Sequence, residues 1–137
     1  MTSDKFEASG YNVVMNQGTQ NYKDLLVWQK GIELAKGIYR LTQNFPSEEK
    51  FGLTAQMRRA AVSIPSNLAE GQARHTSGEF VQFISYAEGS AAELDTQLIL
   101  AIELSFCKKT TALSLYELIE EIRRMLNALR RAVSRRK

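Results

Sequence analysis

Phe80-Val-Gln-Phe-Ile84-Ser-Tyr-Ala87-Glu-Gly-Ser-Ala91-Ala-Glu-Leu94-Asp-Thr-Gln-Leu98-Ile-Leu-Ala101-Ile-Glu-Leu-Ser105 decides the fold. Phe80, Ile84, Ala87, Ala91, Leu94, Leu98, Ala101 and Ser105 recur in alternating steps of four and three. That seven-residue repeat holds one seam of a helix against its neighbours in left-handed bundle packing. Thr76-Ser-Gly-Glu79, just before it, has the form of a capping box and opens the helix. About thirty residues then follow in one helix, roughly 45 Å long. Gly89, Ser90, Ala91 and Ala92 are small enough to let another helix approach closely.

Three more helical segments flank this one. Upstream, a helix is expected from about Asp24 to Gln43, with Leu25, Trp28, Ile32, Ala35, Tyr39 and Thr42 on one stripe. Leu34, Ile38, Leu41 and Phe45 make a second stripe beside it, and Phe45-Pro46 ends the helix. The next helix should begin near Ser47 or Glu48, with Leu53, Met57, Ala60, Ile64 and Leu68 on its apolar face. Pro65 removes the hydrogen bond to the Ala61 carbonyl, so a continuous helix kinked at Pro65 is expected. Downstream, Ser114-Leu-Tyr-Glu117 reads as another capping box, with Leu115, Ile119, Ile122, Met125, Leu126, Leu129 and Val133 facing inward. Short connections make neighbours antiparallel, so the fold class is all-α, an up-down-up-down four-helix bundle over residues 23–137. Residues 1–22 lack this periodicity and read as a flexible leader, with Tyr11-Asn-Val-Val-Met15 as a short ordered stretch.

With 137 residues, 44% hydrophobic and 24% charged, the chain can bury a core as one domain without staples. Cys107 is its only cysteine, so no internal disulfide forms, and no Asn-x-Ser/Thr acceptor is present. No apolar run resembles a secretory signal, and the longest, Leu98 to Ile102, cannot span a bilayer. A cytoplasmic protein is the expectation.

Little catalytic chemistry can be read from the residues. A di-iron site in a bundle needs two Glu-x-x-His pairs, but His75 is the sole histidine and Gln72 stands three residues before it. One His and one Cys cannot supply a structural zinc site either. No phosphate-binding glycine loop is present. Ser63 and Ser66 flank a proline instead of occupying a strained elbow. No enzyme, cofactor, metal or small-molecule substrate is expected.

Charge is more informative. The net charge is only +3, yet Arg123, Arg124, Arg130, Arg131, Arg135, Arg136 and Lys137 follow one another without an intervening acid. Arg123 and Arg130 are seven apart, as are Arg124 and Arg131, which makes two adjacent ridges away from the apolar face. Such ridges suit a phosphate backbone; equally, they can simply solvate a helix end and favour its dipole. In contrast, the segment from Glu79 to Glu103 holds acids and no Lys or Arg. Near the end of that helix Ile99, Leu100, Leu104 and Phe106 add apolar faces that a monomer cannot easily bury. Self-association through these four residues is expected ahead of the alternative, cover by leader residues, with Glu88, Glu93, Asp95 and Glu103 meeting cations of a neighbouring subunit.

Two stretches carry a resemblance. One is Asp24-Leu-Leu-Val-Trp-Gln-Lys30, continued by Ile38-Tyr-Arg-Leu-Thr42 and Phe45-Pro46. The other is Gly52-Leu-Thr-Ala-Gln-Met-Arg-Arg-Ala-Ala-Val-Ser-Ile-Pro-Ser-Asn-Leu-Ala-Glu-Gly71, followed by Glu79-Phe80 and Glu93-Leu-Asp-Thr-Gln-Leu98. Together they resemble the bacterial four-helix bundle family encoded by intervening sequences inside 23S ribosomal RNA genes, over about residues 22–133. The resemblance implies a ring-like homo-pentamer and a role connected with RNA. It also implies a distant relation to the accessory protein of diversity-generating retroelements, which works with a reverse transcriptase.

No catalytic residue carries over from the family. Arg58 and Arg59 match its motif, and two readings apply to them: they line an oligomer surface that meets nucleic acid, or they pair with an acid of the third helix. Asn67 and Glu70 are read as structural, Asn67 satisfying the break at Pro65. The functional expectation is a homo-oligomer that binds RNA or DNA through Arg58, Arg59 and the C-terminal cations. The alternative is a scaffold for a basic protein such as a reverse transcriptase.

Overall fold

The structure is a computed structural model, and it describes residues 21–136. Four α-helices form the domain: α1 (Leu26–Thr42), α2 (Leu53–Gln72), α3 (Ser77–Glu103) and α4 (Lys109–Ser134). Two 3-10 turns, Tyr22–Asp24 and Ser47–Glu49, precede α1 and α2. The leader stretch Tyr11–Met15 and Lys137 lie outside the described residues.

Side-chain pairs fix the direction of every neighbouring pair. Arg58 on α2 reaches the Tyr39 carbonyl, while Gly31 faces Pro65 further down, so α1 and α2 run antiparallel. Between α2 and α3, Ser63 meets Ser90, while Gly71 faces Phe83. Glu88 meets Arg130 and Asp95 meets Arg123, which orders α3 against α4. Lys30 faces Glu121 and Gly37 faces Leu115, so α4 returns beside α1 and closes the square. Each helix packs backbone to backbone against the two beside it in the square, not across the diagonal. This is the up-down-up-down bundle that the periodicity predicts.

The core follows the heptads. Ile84, Ala87, Ala91, Leu94, Leu98 and Ala101 of α3 are fully buried, and Phe80 nearly so. All five expected α2 positions, from Leu53 to Leu68, are also interior. On α4 the inward line is Ala112, Ile119, Ile122, Leu126, Leu129 and Val133. Each fully buried Leu or Ile contributes about 1.5–3 kcal/mol relative to exposure. The helix α2 continues through Pro65, where Gly31 lets α1 approach: a Cβ on Gly31 would lie 3.2 Å from the Pro65 ring. Thr76 caps α3 as its box predicts, its hydroxyl oxygen accepting the Glu79 amide at 3.1 Å.

Several local expectations need correction. On α1 the buried stripe is Leu34, Ile38 and Leu41, whereas Ile32 and Tyr39 of the other stripe are exposed. The other stripe is buried at its two ends, Leu25 and Thr42, and half-buried at Trp28 and Ala35, because a bundle corner covers one face fully and only the edge of the next. Ser47–Glu49 does not open α2; Gly52 interrupts the helical backbone at φ −106°, ψ −117°. The Glu49 carboxylate instead accepts the Leu53 amide at 3.0 Å, so the expected acidic first turn acts as a detached cap.

The repeat on α3 stops before Ser105, which adopts φ 63°. There the Ser105 amide donates to Ile102 O at 3.0 Å and the Phe106 amide to Ala101 O at 2.9 Å. These two bonds are a Schellman stop. This tight stop lets α4 begin at Lys109, so Ser114-Leu-Tyr-Glu117 lies inside a helix and caps nothing. A Cβ on Gly89 would meet no atom within 4 Å, so no helix among the described residues uses its smallness.

Candidate nucleic-acid interface

Adjacent arginines on α4 point about 100° apart, because a helix turns by that angle per residue. Arg123 and Arg130 fall on the α3 side of the bundle. Arg130 Nε donates to Glu88 Oε1 at 2.9 Å, and Arg123 Nη1 lies 3.4 Å from Asp95 Oδ2 and 3.7 Å from Glu120 Oε1. Both cations therefore brace the α3–α4 contact. The expectation that Glu88 and Asp95 await a neighbouring subunit is corrected: each is matched within the chain.

Arg124 and Arg131 occupy the outward side. They are exposed, and neither has a carboxylate within ion-pair distance among the described residues. Arg135 and Arg136 continue the basic end of α4, also exposed. Two turns separate Arg124 from Arg131, about 10.5 Å along the axis.

Arg58 is fixed in place. Its Nε donates to Thr42 Oγ1 at 2.9 Å and its Nη2 to the Tyr39 carbonyl at 3.3 Å. The guanidinium also lies 4.5 Å above the Tyr39 ring centroid. It thus ties the C-terminal turn of α1 to α2, a third arrangement beside the two the sequence offers. Arg59, one step round the helix, is exposed, and neither arginine pairs with an acid of α3 among the described residues.

The remaining motif residues are structural. Asn67 Nδ2 donates to Ser63 O and Ser63 Oγ, both at 2.8 Å. It therefore braces the turn before Pro65 and does not reach the Ala61 carbonyl. Ser63 Oγ in turn lies 2.8 Å from Ser90 Oγ, a polar tie between α2 and α3. Glu70 accepts from Arg74 Nη2 at 2.9 Å, and Arg74 lies over Phe83 at 4.8 Å. His75 is exposed on the loop before α3.

The expected apolar patch is changed in one member. Ile99, Leu100 and Leu104 are roughly half exposed, at 45%, 46% and 51%. Phe106 instead turns inward, 5.6 Å from the Phe45 ring. The Schellman turn aims it there. Leu113 and Tyr116 of α4, which sequence reasoning missed, are exposed beside Ile99 around a cavity of 340 Å³. They follow from the earlier start of α4.

Among the described residues, no group of three or more His, Cys, Asp or Glu is placed to hold a metal ion. No helix among them is long and apolar enough to cross a membrane. Burial raises the Cys107 thiol above its ordinary pKa.

Fold and surface define a small antiparallel four-helix bundle with cations along the outer side of its last helix. The chain belongs to the 23S rRNA-intervening sequence protein family, whose model matches residues 23–128. A similar solved structure comes from Bacteroides thetaiotaomicron, a protein of unknown function from the S23 ribosomal protein family. The two share 24% identity and a TM-score of 0.68, over 75% of this chain and 96% of that one. That likeness is one of fold. No curated protein matches the chain.

Proposed function

We propose that this protein is a non-enzymatic homo-oligomer, a pentamer, that binds nucleic acid, RNA foremost, through the outward arginines of α4. The observation that carries the proposal is the division among the α4 arginines. Arg123 and Arg130 are matched by acids of α3, whereas Arg124 and Arg131 stand exposed with no acid at ion-pair distance among the described residues. Four arginines serving only to hold the bundle would not leave two of them aligned outward at a seven-residue interval. Arginine forks match phosphate oxygens well. The family's link to ribosomal RNA genes supports the same choice of polymer.

Self-association rests on the half-exposed Ile99, Leu100 and Leu104, joined by Leu113 and Tyr116. Light scattering should return about five times 15.5 kDa; the monomer mass at micromolar concentration would contradict assembly. The scaffold reading loses support, since Glu88 and Asp95 are already paired with Arg130 and Arg123.

The test of nucleic-acid binding is a titration of a structured RNA at two salt concentrations. Binding should weaken steeply between them, because each neutralised phosphate releases counterions. No binding at low salt, or binding indifferent to salt, would end the proposal.

A further inference from the structure

Phe51 is 89% exposed, the least covered of the large hydrophobic side chains among the described residues. It stands in the turn before α2, at the rim of an open concavity of 470 Å³ between α1 and α2. Tyr39, Val62, Lys50, Arg58 and Arg59 share that concavity. Its lining holds three cations and no acid. Lys50 Nζ lies over the Phe51 ring, 5.6 Å from its centroid, and Arg58 is held over Tyr39 by its two hydrogen bonds. Arg59 is exposed on the adjacent strip of α2. The carboxylate of Glu49, the nearest acid on the turn, is occupied by the Leu53 amide.

We infer that this concavity is a stacking platform for an unpaired base of single-stranded nucleic acid. Phe51 supplies the aromatic face opposite Lys50, and Lys50 and Arg59 hold the flanking phosphates. Arg58 is the positioning residue that keeps Tyr39 and the rim in place. The chemistry selects the ligand. An aromatic face takes any base that is not already stacked, and the surrounding cations take the backbone. A duplex hides its base faces, so this platform distinguishes single strands from double ones. The outward arginines of α4 read phosphates in either form. The two sites also lie at opposite ends of the bundle, because α4 runs antiparallel to α1. A second copy of the chain seated on Phe51 would instead favour apolar neighbours over three cations.

The inference rests on the proposed binding of nucleic acid, and the test separates the two. Wild type, Phe51→Ala and Phe51→Trp are titrated with labelled oligo-uridylate, oligo-thymidylate and an RNA hairpin closed by a four-base loop whose bases are themselves stacked. Phe51→Ala should bind the single strands roughly tenfold more weakly, with hairpin affinity unchanged. Phe51→Trp should keep single-strand affinity, and its added emission should be quenched by the oligonucleotide. Comparison of the uridylate and thymidylate arms tells RNA from DNA as the natural source. Unchanged single-strand affinity in Phe51→Ala overturns the platform alone, as does wild-type binding of the hairpin without single strands. Failure of wild type to bind any of the three overturns both proposals. A lower scattering mass for Phe51→Ala with intact affinity assigns the face to contact between copies and overturns the platform.

Discussion

Arg130 Nε donates to Glu88 Oε1 at 2.9 Å across the α3–α4 contact, with both side chains about a third or less exposed. The pair joins residues 42 positions apart, so it reports tertiary structure rather than helix propensity. A double-mutant cycle with Arg130→Ala and Glu88→Ala should return a coupling of about 0.5–1 kcal/mol, discounted for solvent screening. Additive losses in urea unfolding would show that the two side chains do not interact.

Ser105 carries a left-handed backbone, φ 63°, at the stop between α3 and α4. A side chain there costs about 1–2 kcal/mol that glycine avoids. Ser105→Gly should therefore raise unfolding stability by about 0.5–1 kcal/mol, net of the glycine's greater freedom when unfolded. A destabilised variant would mean that the serine is needed for more than its backbone.

Gly71 and Gly89 look alike in sequence but not in space. A Cβ on Gly71 would meet Phe83 Cβ at 2.5 Å and Phe80 Cδ1 at 3.1 Å, whereas nothing among the described residues approaches Gly89. Gly71→Ala should cost about 1–3 kcal/mol through overpacking. Gly89→Ala should gain about 0.5–1 kcal/mol from helix propensity. Thermal melts of the two variants check both signs, and shifts in the same direction would contradict the α2–α3 packing.

Cys107 has its thiol pKa raised by burial. Alkylation of the native protein at pH 8 should be slower than that of a free cysteine, since less thiolate is present. The rate should keep climbing beyond the ordinary thiol range. Folding favours the neutral form, so the group's contribution to stability holds at low pH and is lost as pH rises through the raised value. Alkylation as fast as for the unfolded chain would refute the burial.

The α3 heptad was legible because Phe80 through Ala101 place one apolar or small residue in every half-repeat and little else competes. On α1 two stripes compete with equal spacing, and only the packed partner decides that Leu34, Ile38 and Leu41 go inward. Ser114-Leu-Tyr-Glu117 misled for a similar reason: a capping box is a local pattern, and the Schellman turn at Ser105 had already placed the helix start upstream. The α4 ridges were visible as two pairs, but not which was engaged. A usable signal was present: Glu88 and Asp95 are seven apart on α3, as are Arg123 and Arg130 on α4, which antiparallel neighbours can match. Phe51 is not legible as a surface residue because its type suggests a core, whereas it lies outside α2, before the Gly52 break.

The outward pair on α4 gives the most direct test. Affinity for a structured RNA is measured across a salt series for wild type and for the Arg124→Ala, Arg131→Ala double variant. Losing two phosphate contacts should reduce the slope of log affinity against log salt by about 1.5–2. Circular dichroism should stay unchanged, since both side chains are exposed. An identical slope and affinity in the double variant would contradict the assignment of these arginines to nucleic acid.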